Sequence, residues 1–254
     1  MIGVLRSEWS KALSTRASAA TLPLTVLLCA GLAYPIALAY RNIPGQHEWG
    51  DDLQLRFASL LVISLGQLVL VVFAVMAVGG EFSTGAIRSS LTAVPSRGRF
   101  FAAKAAAVGL LALVVAVPSV ASAYVSSSLA LGSKAPGLGE AEMIPALLGA
   151  VGYLVLICLF AAGVTALLRS SVLAMSILLP LLFLESQGLG SLPGISRYTQ
   201  YLPAEAGMSM MHLVRDDGSR FAHDYGPLAG FGLLALWTAL VLLGGYLVNR
   251  RRDV

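Results

Sequence analysis

The residues of this chain that could do chemistry are few and scattered. Its three histidines, His47, His212 and His223, stand far apart. No His-Glu-x-x-His run sets two imidazoles and a general base on one helical face, as a zinc hydrolase needs. The acidic pairs Glu140/Glu142 and Asp216/Asp217 read as solvated loop charges rather than an acid–base couple. Cys29 and Cys158 are the only cysteines, and both fall in apolar stretches that suit neither a metal site nor a structural disulfide. A Gly-x-x-x-x-Gly-Lys-Ser/Thr phosphate loop is absent, so this chain does not hydrolyse ATP by that chemistry. A membrane-embedded enzyme has little support, and no bound cofactor is expected.

The most concentrated pattern runs from Gly79 to Arg97. Within it Ile87, Leu91 and Val94 share one face of a short helix, Glu81 stands where a carboxylate complements a helix N-terminus, and Pro95 stops the helix. Two readings are open: a self-capped helix lying on a membrane, or a docking element for another protein. Two further candidates lie elsewhere. Ser119, Ser122 and Ser126 follow Pro118 at helical spacing, and their hydroxyls could line a polar path or bond to backbone and neighbouring helices. Glu185 is either a boundary residue or a carboxylate within a cavity.

The elements that carry these residues are set by the distribution of charge. Six runs hold no Lys, Arg, Asp or Glu: Ala17 to Tyr40, Phe57 to Gly80, Ala105 to Ser133, Met143 to Leu168, Ser170 to Leu184 and Tyr225 to Asn249. All but the fifth exceed the roughly 20 residues that a hydrocarbon core of about 30 Å demands. The chain is 57% hydrophobic and 12% charged, against about 25% charged in a soluble domain. We expect an all-α polytopic membrane protein, a single domain over 1–254, with spans at 17–40, 57–80, 101–132, 144–168, 170–187 and 226–249.

Sorting the charge by loop gives an orientation. With both termini inside, the inner segments hold Arg6, Lys11, Arg16, Arg88, Arg97, Arg99, Lys104, Arg169 and Arg250 to Arg252, which is 11 of the 17 basic residues, but only Glu8, Glu81 and Asp253 of the 13 acidic ones. That is a positive-inside pattern for an even number of spans. The basic ends suit anionic headgroups and do not form a nucleic-acid footprint. Ala37-Leu38-Ala39 resembles a signal-peptidase site, yet the preceding apolar run is far longer than the 7–15 residues or so of a signal core, so the first helix is expected to stay.

Shorter elements complete the plan. Over residues 1–16, Ile2, Leu5, Trp9 and Leu13 fall on one helical face, with Arg6, Ser7, Ser10, Lys11 and Ser14 on the other, which predicts an interfacial amphipathic helix. Arg169-Ser170-Ser171 predicts a tight inner turn. After Glu185, glycines and prolines forbid a continuous crossing, so a re-entrant or interfacial piece is expected on the outer side, with Tyr198 and Tyr201 at headgroup depth.

With those features in place, the chain resembles the permease subunits of type-2 ABC exporters, especially small six-helix bacterial permeases. The resemblance rests on Glu8-Trp9-Ser10-Lys11 and on the run Glu81, Phe82, Gly85, Arg88, Leu91, Pro95 and Arg97, followed by Lys104. Tyr201-Leu202-Pro203 before the last span adds to it. It implies a cytoplasmic coupling helix within 81–97 that seats on a separate ABC ATPase, with Phe82, Ile87 and Leu91 giving apolar contact and Glu81, Arg88 and Arg97 polar register. It also implies a second permease protomer, ATP and Mg bound by the partner ATPase, and a bacterial inner-membrane location. An ion-coupled secondary transporter and a non-transporting scaffold or sensor are the alternatives. The transported substrate is not legible.

Overall fold

Why five helices dominate this protein follows from lipid as solvent: a spanning segment must satisfy every backbone polar group within itself. The computed structural model describes residues 2–41, 51–84, 96–140, 142–186, 196–213 and 223–251, and these are helical with no strand among them. In chain order they form α1 (Ile2–Ser14), α2 (Arg16–Arg41), α3 (Asp51–Leu60), α4 (Ile63–Thr84), α5 (Arg97–Leu131), α6 (Met143–Leu168), α7 (Ser171–Ser186), α8 (Ser196–Thr199), α9 (Pro203–Met210) and α10 (Pro227–Arg251). Five stretches are long and apolar enough to cross a membrane: Arg16–Arg41, Arg56–Phe82, Arg97–Lys134, Met143–Leu168 and Pro227–Arg250.

The remaining expected span, 170–187, is a helix of only 16 residues. At 1.5 Å per residue it measures about 24 Å, short of the hydrocarbon thickness. It follows a two-residue turn. Arg169 closes α6 in the left-handed region at φ 55, and Ser170 Oγ accepts the Leu173 N–H at 3.3 Å to open α7.

At the centre of the bundle stand α4 and α6. Tyr153, Leu154 and Ile157 of α6 and Phe73 and Leu70 of α4 are among the largest fully buried side chains. The Tyr153 hydroxyl donates to the Gln67 side-chain carbonyl, joining the two helices in the interior. Around them α2, α5, α7 and α10 pack with their outer faces apolar and exposed, as Leu27, Leu129, Val172 and Leu228 illustrate. At one end Arg56 pairs with Glu142, so that carboxylate is not simply a solvated loop charge, and Arg41 Nη1 donates to the Ala130 carbonyl at 2.9 Å.

Pro118 does not break α5, which runs on to Leu131. The Ser119 hydroxyl donates to the Val115 carbonyl at 2.7 Å and so adds a bond next to the one that proline removes.

Close helix approach depends on absent side chains. A Cβ on Gly149 would lie 1.9 Å from the Met210 carbonyl oxygen, whereas one on Gly31 would meet nothing within 4 Å. Gly149→Ala is therefore expected to destabilise the protein by about 1–3 kcal/mol through overpacking against backbone. Gly31→Ala should be neutral or stabilise by up to about 1 kcal/mol. Denaturant unfolding of the two variants in one detergent measures the contrast, and equal effects would refute the packing assignment.

Candidate functional site

An ammonium group surrounded by apolar helices needs more than one acceptor, and Lys104 finds two. In the second turn of α5, its Nζ lies 2.8 Å from Glu8 Oε2 of α1 and 2.7 Å from Glu81 Oε1 of α4. Lys11 Nζ adds a contact at 2.8 Å to Glu8 Oε1 and a longer one, 3.9 Å, to Glu81 Oε1. The Phe100 ring, one turn before Lys104, sits 5.4 Å from its Nζ and 6.0 Å from that of Lys11. Two cations and two anions thus tie three helices that are remote in sequence.

Glu8 is the most enclosed of the four, only 3% exposed. Burial by itself raises its carboxyl pKa, but Lys104 and then Lys11 outweigh that, holding it below its ordinary 4.5. The face that α1 turns inward is accordingly centred on Glu8 and Ala12, while Leu13 is 44% exposed.

Glu81 also moves from its expected place. It belongs to the last turn of α4, not to the N-terminus of a separate loop helix. A carboxylate there opposes the helix dipole, and Lys104 offsets the conflict. Its Oε2 is buried without a partner.

Beside this cluster opens a cleft of about 480 Å³, partly open to the surroundings, whose walls include Phe82, Phe100, Phe101 and Tyr246 with Arg97 and Arg250. Arg97 Nη1 donates to the carbonyls of Asn249 at 3.1 Å and Arg250 at 3.3 Å, placing a cation on the C-terminal end of α10. The Arg169 guanidinium lies 5.4 Å from the Phe82 ring centre. Glu81, Phe82 and Arg97 therefore share one end of the bundle and frame both ends of the 85–95 segment. Gly85, Ile87, Arg88, Leu91 and Pro95 lie outside the described residues.

The other candidates lie elsewhere. Ser119 and Ser122 donate within their own helix, to Val115 and Ser119 carbonyls, and Ser126 reaches across to the Ala30 carbonyl of α2 at 2.6 Å. All three hydroxyls thus donate to backbone carbonyls in the described arrangement. Glu185 is 3% exposed at the end of α7, far from the charge cluster, and its Oε2 accepts the Ala204 N–H at 2.8 Å. Sequence reasoning had named Glu8 and Lys11 only within the run that carries the resemblance, without pairing them, and had not singled out Tyr153 or Gln67. For Glu8 the signal was an acid in an otherwise basic amphipathic segment.

Among the described residues no three His, Cys, Asp or Glu side chains gather as metal ligands would. No protein-family model matches the chain, and no curated protein matches it.

Removing Lys104 leaves Glu8 buried beside one partly exposed cation. Lys104→Met should cost about 3–5 kcal/mol, and adding Glu8→Gln and Glu81→Gln to it should restore most of that loss. Protonation supplies a second check. Because Glu8 titrates below 4.5 in the folded protein, its contribution is present above that pH and is lost as the pH falls through the lower folded value. Melting profiles from pH 7 downward should accordingly flatten in Glu8→Gln relative to the parent.

Proposed function

We propose that this chain is the transmembrane permease subunit of an ATP-driven ABC exporter, moving its substrate when a separate ATPase changes state. The observation that carries this reading is the Glu8–Lys104–Glu81 bridge, which joins α1, α4 and α5 immediately beside both ends of the 85–95 segment. Force applied to that segment would enter three helices together rather than one loop. The Glu-aromatic-x-x-Gly-x-x-Arg run, the positive-inside charge pattern and the missing phosphate loop support the same reading.

In this proposal the segment 81–97 faces the cytoplasm and seats on the ATPase through Phe82, Ile87 and Leu91, with Glu81, Arg88 and Arg97 setting register. The chain binds no nucleotide; ATP and Mg belong to the partner. Short α7 together with α9 completes a sixth crossing, which keeps both termini on the cytoplasmic side of a bacterial inner membrane. α1 lies along that face, and a second permease protomer completes the pathway.

A second reading, the ion-coupled transporter, gains one observation: Glu185 is a carboxylate enclosed by the bundle with no Lys or Arg paired to it among the described residues. The two are separable. The exporter reading expects a nucleotide-hydrolysing subunit to co-purify in mild detergent. Arg88→Ala with Leu91→Asp should weaken that association more than about tenfold, a hot-spot loss above roughly 1.4 kcal/mol, without changing the elution of the permease. Transport by the chain alone in liposomes under a proton gradient would replace the exporter reading with the ion-coupled one.

A further inference from the structure

Glu185 occupies the junction of two broken helices. It lies fourteen residues beyond Ser171, about 21 Å along α7 at 1.5 Å per residue, whereas α6 alongside runs for 26 residues, or about 39 Å. The carboxylate therefore stops well short of the far end of the bundle. α9 meets it there, wedged among α6, α7 and α10: Gly207 lies against the Tyr153 ring, Gly149 against the Met210 carbonyl and Gly230 against the Ala206 carbonyl.

The N-terminus of α9 explains half of what Glu185 does. Leu202 precedes the helix with no capping side chain, and Pro203 in its first turn has no N–H to offer. Ala204 carries the first donor without an intrahelical partner, and Glu185 Oε2 accepts it. A carboxylate on α7 thus caps a helix that begins 18 residues later in the chain.

The other oxygen is the informative one. Among the described residues, Glu185 Oε1 is buried and has no hydrogen-bond partner, and neither does the amide nitrogen of Gln67. The ionisable groups on the elements packed against this end of α7 are Tyr153 of α6, which lies within electrostatic reach of Glu185, and Glu205 of α9. Glu205 has its own partner, His223 Nε2, at 3.3 Å. On α4 the nearby polar group is the Gln67 amide, which holds the Tyr153 hydroxyl.

If Glu185 were ionised, a bare anionic oxygen would face apolar surroundings without the water that stabilises it. Against this stand only one backbone hydrogen bond and a two-turn helix dipole. A proton on Oε1 removes the bare charge and leaves Oε2 free to keep accepting from Ala204.

We propose that Glu185 is a proton-binding site that fastens α9 to the end of α7, neutral while the junction is closed and ionised when α9 lifts away and water enters. This does not depend on which engine drives the protein. Its ligand is a proton alone, and the step is an acid dissociation with the proton passing to water.

Infrared spectroscopy of the full-length protein in lipid nanodiscs tests it, because a neutral carboxyl has a carbonyl stretch that carboxylates lack. At neutral pH the parent should show such a band that Glu185→Gln removes and Glu140→Gln, in an exposed turn, leaves unchanged. Raising the pH until the band disappears should lower the protection factors of the 203–210 amides, the intrinsic exchange rate at each pH divided by the observed rate, in the parent but not in Glu185→Gln, whose amide keeps an acceptor for Ala204 and stays uncharged. If no neutral-pH band is lost in Glu185→Gln, the site is ionised and the proposal fails. It fails equally if the band titrates while protection over 203–210 does not follow.

Discussion

A charge withdrawn from water must be matched inside the protein, and the arrangement of this bundle turns on where that matching happens. Lys104 could not be held between α1, α4 and α5 without two acceptors, and neither Glu8 nor Glu81 could be enclosed without it. An apolar trio would pack these helices at least as firmly, since buried ion pairs seldom out-stabilise hydrophobic replacements. What the charges add is register: each ammonium–carboxylate contact is satisfied at one relative position of the helices, whereas leucines tolerate sliding.

Elsewhere the bundle is held by proximity. Lipid tails are as apolar as leucine, so helices gain little by hiding leucines from them, and close van der Waals contact with interhelical hydrogen bonds takes over. Between α6 and α10, Gly163 faces the Val241–Leu242 backbone and Gly245 faces Ala166, each where a Cβ would collide. Thr238 Oγ1 reaches the Leu156 carbonyl at 3.2 Å and Asn249 Nδ2 the Ala166 carbonyl at 3.1 Å across the same seam. The exposed leucines of α10 look outward instead.

How much of this was legible beforehand follows from which properties are local. A charge-free run is local, so the expected spans 17–40, 144–168 and 226–249 agree with α2, α6 and α10 to within a residue or two. Partnering is not local. The helical wheel of residues 1–16 gave Glu8 no partner, because the cation that buries it stands at position 104. Glu81 looked like the start of a loop helix because a carboxylate complements a helix N-terminus, yet α4 runs on to Thr84. The short length of α7 was visible in its charge-free run, but the burial of Glu185 depended on α9 returning to meet it, which no periodicity encodes.

The two ends of the bundle are consequently built on different terms. At the end bearing Lys104, four charges of zero net sum connect three helices, and Arg97 adds a bond from the start of α5 to the end of α10. Moving any one of those helices separates ions in a poorly solvating environment, which is steep in energy. At the α7–α9 junction one hydrogen bond joins the two helices, and α9 is otherwise held by close packing, with Ala204, Ala206 and Met210 in the core. Displacing it uncovers that apolar surface and frees one buried carboxylate. The two ends therefore resist displacement by different means, ion pairing at one and apolar packing at the other, and under the proposed function force enters at the first.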